Sequence, residues 1–307
     1  MKFSSKICIL AIVANNATLA YATTTCQEVL AAAQASTNIT LANDEQFNFS
    51  GVPGAYDADG DPSERVHDGQ PALLADGIVS IKLKGTSSVT STCTGSLISP
   101  SWVLTAAHCV FGKNDDGKTE VRDSINIWAD SVKIHKGIKR AVSHSYCHAE
   151  YGFRTGRYAN DVALLKLDEP LENSDLMELV PATNGAMRSR PVGTSFTIFG
   201  YGKLEKNQSS RYLMTGRLRK GPNLTGYPTV YASETLGSGG ISSSLCPGDS
   251  GGPATMRIGQ KAFQIGINSF IANIEPKTPA FCGVVGNLSA MVDIHRYLGW
   301  IEDTMKQ

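Results

Sequence analysis

Apolar Val79, Ile81 and Leu83 alternate with Ser80, Lys82 and Lys84, which predicts a strand with one buried face. Short apolar runs at 95–98, 102–105, 162–167, 196–199 and 262–267 predict further strands, and turn residues such as Asp115-Asp116-Gly117 punctuate them. Many short strands with glycine-rich turns suggest barrels or a sandwich, and the pattern alone does not choose. Near the end the period changes. Met291, Ile294, Leu298, Ile301 and Met305 recur at helical spacing and predict an amphipathic terminal helix. At the start, Lys2 and Lys6 precede the apolar run 7–13, and Ala20-Tyr21-Ala22 follows as a small-x-small site. Residues 1–22 therefore read as a secretory signal, too short to span a bilayer, and imply a soluble, secreted product. Residues 23–65 are polar and turn-rich and read as a propeptide.

Composition narrows the field. With 307 residues, 41% of them hydrophobic, the chain has ample material for a core. Its 28 basic and 28 acidic residues are scattered, so nothing points to nucleic acid or to an anionic membrane as a partner. Of seven cysteines, Cys8 lies in the signal; the six left form an even set, favouring disulfides in an exported chain. Five Asn-x-Ser/Thr sequons follow, at Asn38, Asn48, Asn207, Asn223 and Asn287, and mark a glycoprotein only if the source glycosylates exported chains. The acidic run 57–62 resembles a calcium loop, but Pro62 stands where glycine is needed, so it reads as a solvated linker.

Three motifs carry chemistry. Cys246-Pro247-Gly248-Asp249-Ser250-Gly251-Gly252-Pro253 sets a serine in a turn whose Gly248 and Ser250 N–H groups can face one developing anion. A serine hydroxyl needs a base, and the base needs an orienting group. His108, in Leu104-Thr105-Ala106-Ala107-His108-Cys109, and Asp161, in Asn160-Asp161-Val162-Ala163-Leu164-Leu165, supply them. The order His, Asp, Ser separates this chain from the subtilisin-like and α/β-hydrolase orders. Over residues 66–301 it resembles the chymotrypsin/trypsin-like serine endopeptidases.

That resemblance implies an all-β fold of two six-stranded antiparallel barrels, with the catalytic residues between them and the terminal helix on the second barrel. The protease domain would span 66–307. His108 would act as base, Asp161 as its orienter and Ser250 as nucleophile, with Gly248 and Ser250 as the oxyanion hole; no metal or cofactor is required. Cys93–Cys109 and Cys246–Cys282 match family disulfides, leaving Cys26 and Cys147 to pair by elimination. Ser63-Glu64-Arg65-Val66-His67-Asp68-Gly69 resembles the family activation site, although His67 and Asp68 depart from its usual Ile-Val-Gly-Gly. Cleavage by an activating protease would free the Val66 ammonium to pair with Asp249.

The same resemblance places Ser244 at the floor of the specificity pocket, and Ser269 and Phe270 along the bound peptide, with the Ser269 hydroxyl supporting Asp161. With no carboxylate at Ser244, a neutral pocket favours an apolar residue N-terminal to the cut. Ile271 would narrow it toward aliphatics; turned away, it would admit aromatics. Gly283 and Gly286 are candidates for the other wall, and Glu275 is a possible route to basic residues. His144 and His148 flank Cys147, but in a variable family loop that points to no metal site. His135 and His295 read as surface or packing residues. Polypeptides are the expected substrates of a monomeric enzyme. A catalytically silent binding homologue and an esterase are the competing readings.

Overall fold

The computed structural model describes residues 24–35, 69–85, 90–114, 116–152, 159–203, 210–224, 227–235, 243–273 and 282–307. Its first helix, α1 (Cys26–Ala35), lies in the stretch read as a polar propeptide. Thr25 and Glu28 start it reciprocally: the Thr25 N–H donates to the Glu28 carboxylate at 2.8 Å, and the Glu28 N–H to Thr25 Oγ1 at 3.2 Å. One face, with Cys26, Val29, Leu30 and Ala33, is buried. After the short β1 (Gln70–Pro71) come β2 (Ile78–Lys84), β3 (Thr90–Ser99) and β4 (Trp102–Thr105). The one-turn α2 (Ala107–Val110) and a hairpin of β5 (Phe111–Lys113) and β6 (Thr119–Val121) follow. Next are β7 (Ser124–Ala129), β8 (Ile138–Cys147) and β9 (Ala163–Leu167).

Strands β2, β3, β4, β9, β8 and β7 close into a six-stranded barrel, as expected. Ile81, Leu97, Val103, Leu104, Ile127 and Leu164 are fully buried there. Ser80 breaks the expected alternation. It is buried because the turn after β7 folds over it, and the His135 N–H donates to its Oγ at 2.9 Å.

The second half comprises β10 (Ser195–Gly200), β11 (Met214–Arg219), β12 (Val230–Glu234), β13 (Pro253–Ile258), β14 (Lys261–Asn273) and β15 (Asn287–Asp293). With β1 they form a seven-stranded sheet in the order β1-β11-β10-β13-β14-β15-β12, which does not close. Its margins still approach. The Gly221 N–H donates to Ala232 C=O at 2.7 Å, but the Arg219 N–H meets the Ser233 hydroxyl instead of a backbone acceptor, so no ladder forms. The expected second six-stranded barrel is thus a curled open sheet.

The terminal helix also differs from expectation. Met291 belongs to β15, where both faces are buried and the apolar period is uninformative. A 3-10 turn at 294–297, started by the Asp293 side chain, leads into α3 (Leu298–Thr304). The turn sits beside β14, but the Trp300 ring lies 5.8 Å from His148 and Lys166 Nζ donates to Gln307 C=O at 3.0 Å. The helix therefore ties both halves together instead of packing on the second alone. Cys26–Cys147, Cys93–Cys109 and Cys246–Cys282 are all bonded. The first fastens α1 to β8; the loop closed by the second contributes about 3 kcal/mol in the chain-entropy model. Among the sequons, Asn223 is exposed, but Asn287 is buried in β15 and cannot carry a glycan in the folded chain. Asn38, Asn48 and Asn207 lie outside the described residues. No helix among the described residues is long and apolar enough to cross a membrane.

Candidate active site

His108 sits on α2, directly after β4 has left the barrel core, and Cys93–Cys109 clamps the helix to β3. Asp161 immediately precedes β9, held by Asn160 in a left-handed turn with φ 54°. The Tyr297 hydroxyl fixes that turn by donating to Asn160 Oδ1 at 2.8 Å. β4 and β9 are neighbours, so the two side chains meet. His108 donates its backbone N–H to Asp161 Oδ1 at 2.9 Å, and Nδ1 stands 2.8 Å from Oδ2. Ser269 Oγ donates to the same Oδ2 from a bulge in β14.

Asp161 is fully buried. Burial pushes its carboxyl up, but the His108 charge and the bonds from His108 and Ser269 outweigh it and hold the group below the usual carboxylate range. An ionised carboxylate bonded at Nδ1 leaves Nε2 as the basic nitrogen of the ring.

Ser250 enters from the other half, in the turn preceding β13. Its C=O accepts the Thr94 N–H at 2.8 Å. Gly248 adopts φ +100°, and a Cβ there would lie 2.8 Å from Gly202 Cα, so glycine is required for both reasons. Ser250, Gly248 and His108 line one cavity of about 330 Å³ between the halves. An imidazole oriented by a carboxylate and a serine in a glycine turn thus line the same space.

The remaining candidates fall into three groups. Ser269, Phe270 and Ile271 line the same cavity, with the Phe270 ring 5.7 Å from Tyr227. Ser244 is buried, and its Oγ accepts the Gly283 N–H at 2.8 Å, a contact that joins the expected pocket floor to one expected wall. Asp249 is buried below the cavity. Its carboxylate accepts N–H groups from Gly202 at 2.8 Å and Cys246 at 2.9 Å, and burial pushes it up to about 7. A Cβ on Gly200 or Gly202 would overlap that carboxylate, so the Gly-Tyr-Gly run cradles it. Arg65, Val66 and Glu275 lie outside the described residues.

Phe111 and Arg122, which line the cavity beyond the disulfide, were not expected. Their legible signal is position: Phe111 follows His108 by three residues. His148 packs edge-on against Tyr297 at 5.4 Å, and burial depresses its imidazole, while Cys147 is spent in its disulfide.

Several known proteins are similar to this chain. Serine protease SP24D of Anopheles gambiae is 30% identical over 223 residues, covering 70% of this chain and 73% of that protein. Serine protease ea of Drosophila melanogaster is 26% identical, with 70% and 60% covered, and Melanization protease 1 of Drosophila melanogaster is 27% identical, with 70% and 58% covered. The chain thus matches less than two thirds of the latter two proteins. A solved collagenase, HL collagenase, superposes with a TM-score of 0.62 at 22% identity, over 78% of this chain and 98% of that one, which speaks for the fold. The trypsin family model matches residues 67–294, and the chain belongs to the trypsin family of serine endopeptidases.

Proposed function

We propose that this protein is an exported zymogen whose His108, Asp161 and Ser250 cleave polypeptides through an acyl-enzyme. The observation that carries the reading is the doubly bonded His108–Asp161 pair facing the same cavity as Ser250 and Gly248. Ser250 Oγ attacks the scissile carbonyl carbon as its proton passes to His108 Nε2. The tetrahedral oxyanion takes hydrogen bonds from the Gly248 and Ser250 N–H groups; losing one such donor typically costs about 3 kcal/mol of barrier. The C–N bond then breaks as His108 returns the proton to the leaving amine. Water, deprotonated by His108, attacks the ester and frees Ser250.

Activation is the second part of the reading. Cleavage after Arg65 creates an ammonium at Val66, and Asp249 is a fitting receptor: a buried carboxyl held by two backbone dipoles and raised to about 7. An ammonium beside it would restore its charge and rigidify the turn that bears Gly248 and Ser250. The segment 23–65 would stay attached through Cys26–Cys147, with the buried face of α1 held on the first barrel.

The third part concerns specificity. Ile271 lines the cavity and the buried Ser244 brings no charge, which supports cleavage after small or medium aliphatic residues. Peptide-library profiling of protein processed at Arg65–Val66, with Ser250→Ala as control, tests all three parts. Cleavage after Ala, Val or Leu is expected. Cleavage after Phe or Tyr would show the pocket open, and cleavage after Arg or Lys would bring in a carboxylate from the 274–281 segment. No cleavage by processed, folded protein would overturn the enzyme reading in favour of a silent homologue.

A further inference from the structure

Thr94, on β3 of the first barrel, is fully buried at the seam between the two halves, and each of its polar atoms is committed across or along that seam. Its N–H donates to Ser250 C=O at 2.8 Å. Its Oγ1 donates to Gly248 C=O at 2.9 Å and accepts the Tyr201 N–H at 3.0 Å. Its own C=O accepts Thr105 Oγ1 at 2.9 Å, three residues before His108.

The direction of the central bond is fixed by chemistry. A hydroxyl has one proton, and Tyr201, an N–H donor, can only occupy an Oγ1 lone pair. The proton is therefore left for the Gly248 carbonyl. The next amide along, Gly202 N–H, goes to the Asp249 carboxylate, so one two-residue step after β10 serves both Thr94 and Asp249.

We propose that Thr94 is a positioning residue for the oxyanion turn, clamping Gly248 and Ser250 by their carbonyls to the strand pair that leads to His108. The inference rests on the proposed roles of Gly248 and Ser250 as oxyanion donors. Gly248 lacks a Cβ and is free to rotate at φ +100°, so its peptide orientation has to be imposed from outside. The two C=O groups tied to Thr94 lie in the peptides that follow Gly248 and Ser250, whereas the donor N–H groups lie in the preceding peptides, where Pro247 C=O accepts the Lys203 N–H at 2.7 Å. Thr94 thus holds each donor residue from its C-terminal side. A donor misaligned by a peptide rotation loses its bond to the oxyanion far more than to a ground-state carbonyl, so the clamp acts on turnover more than on substrate binding.

The test compares Thr94→Val, which keeps the shape and removes the hydroxyl, with Thr94→Ser, which keeps the hydroxyl. Both are processed at Arg65–Val66 and assayed on the peptide that wild type cleaves best, beside inhibition by a peptide aldehyde of the same sequence. The expected result for T94V is a kcat lowered about tenfold, KM within about twofold, and aldehyde affinity weakened in step with kcat. T94S is expected within about twofold of wild type in all three. A T94V variant with wild-type kcat overturns the proposal, as does a T94S variant impaired like T94V, which would reduce Thr94 to packing. If T94V shows no cooperative thermal transition, Thr94→Ala replaces it under the same criteria. Failure of wild type itself to hydrolyse peptides would instead count against the proposed function.

Discussion

The closed first barrel carries His108 and Asp161 on adjacent strand ends, whereas the open second sheet carries Ser250 on a turn between strands. On the first side the carboxylate is sealed, ionised and bonded through both oxygens before any substrate arrives. On the second, the Ser250 turn is held by the buried side chain of its own Asp249, by the Gly200–Gly202 cradle and by Thr94 of the other half. The proposed base is thus built into the barrel, while the proposed nucleophile and oxyanion turn are held by groups whose charge or alignment can change. The second side is where control over activity is expected to reside.

Removing a group from each side tests that division. Ser250→Ala should lower kcat by about 10⁶-fold with thermal stability unchanged, read by peptide hydrolysis and thermal melting. Residual activity near wild type would remove Ser250 from the mechanism. Asp161→Asn should cost about 10⁴-fold in kcat, because the amide favours the wrong imidazole tautomer while the fold persists. A loss below tenfold would mean that the first side matters less than its geometry implies.

The pH response of Asp249 sharpens the contrast. In the uncleaved chain its carboxyl titrates near 7, against an ordinary 3.8. Between these values the folded state binds a proton that the unfolded state has released, so stability falls as pH rises from about 4 to about 7. The fall amounts to about 10³-fold in the folding equilibrium and levels off above pH 7. In protein cleaved at Arg65–Val66, the proposed pairing with the ammonium would lower that carboxyl, and the slope should vanish. Melting temperatures of both forms of the Ser250→Ala variant from pH 4 to 8 check this; parallel curves would refute the pairing. Asp161, lowered instead of raised, contributes stability in the opposite sense, lost as pH falls below the ordinary carboxylate range.

The smallest expected effect concerns the pocket. Ile271→Gly should raise the kcat/KM ratio of Phe to Val at the position before the cut by about tenfold, since the space gained suits a ring. An unchanged ratio would show that Ile271 does not bound the specificity pocket.

How much of this was legible from residues divides along physical lines. β4 spans the residues 102–105 read from their apolar run, and β2 contains the period-two pattern at 79–84, because both strands are patterned by burial against one core. The helix α1 was missed, although Thr25-x-x-Glu28 is a capping signal, because its surroundings are polar and its apolar face is short. Met291 misled because a strand buried on both faces has no period to read.

The sequence by itself determined the candidate reacting groups, their order and the cysteines available, since these depend only on residue type and local spacing. Tertiary structure alone decided that the second sheet stays open and that Asn287 is sealed from solvent. It alone placed Thr94, 154 residues before Gly248, on the turn's carbonyl. Such contacts arise where two independently folded faces meet, and no local pattern encodes which atoms will lie across a seam.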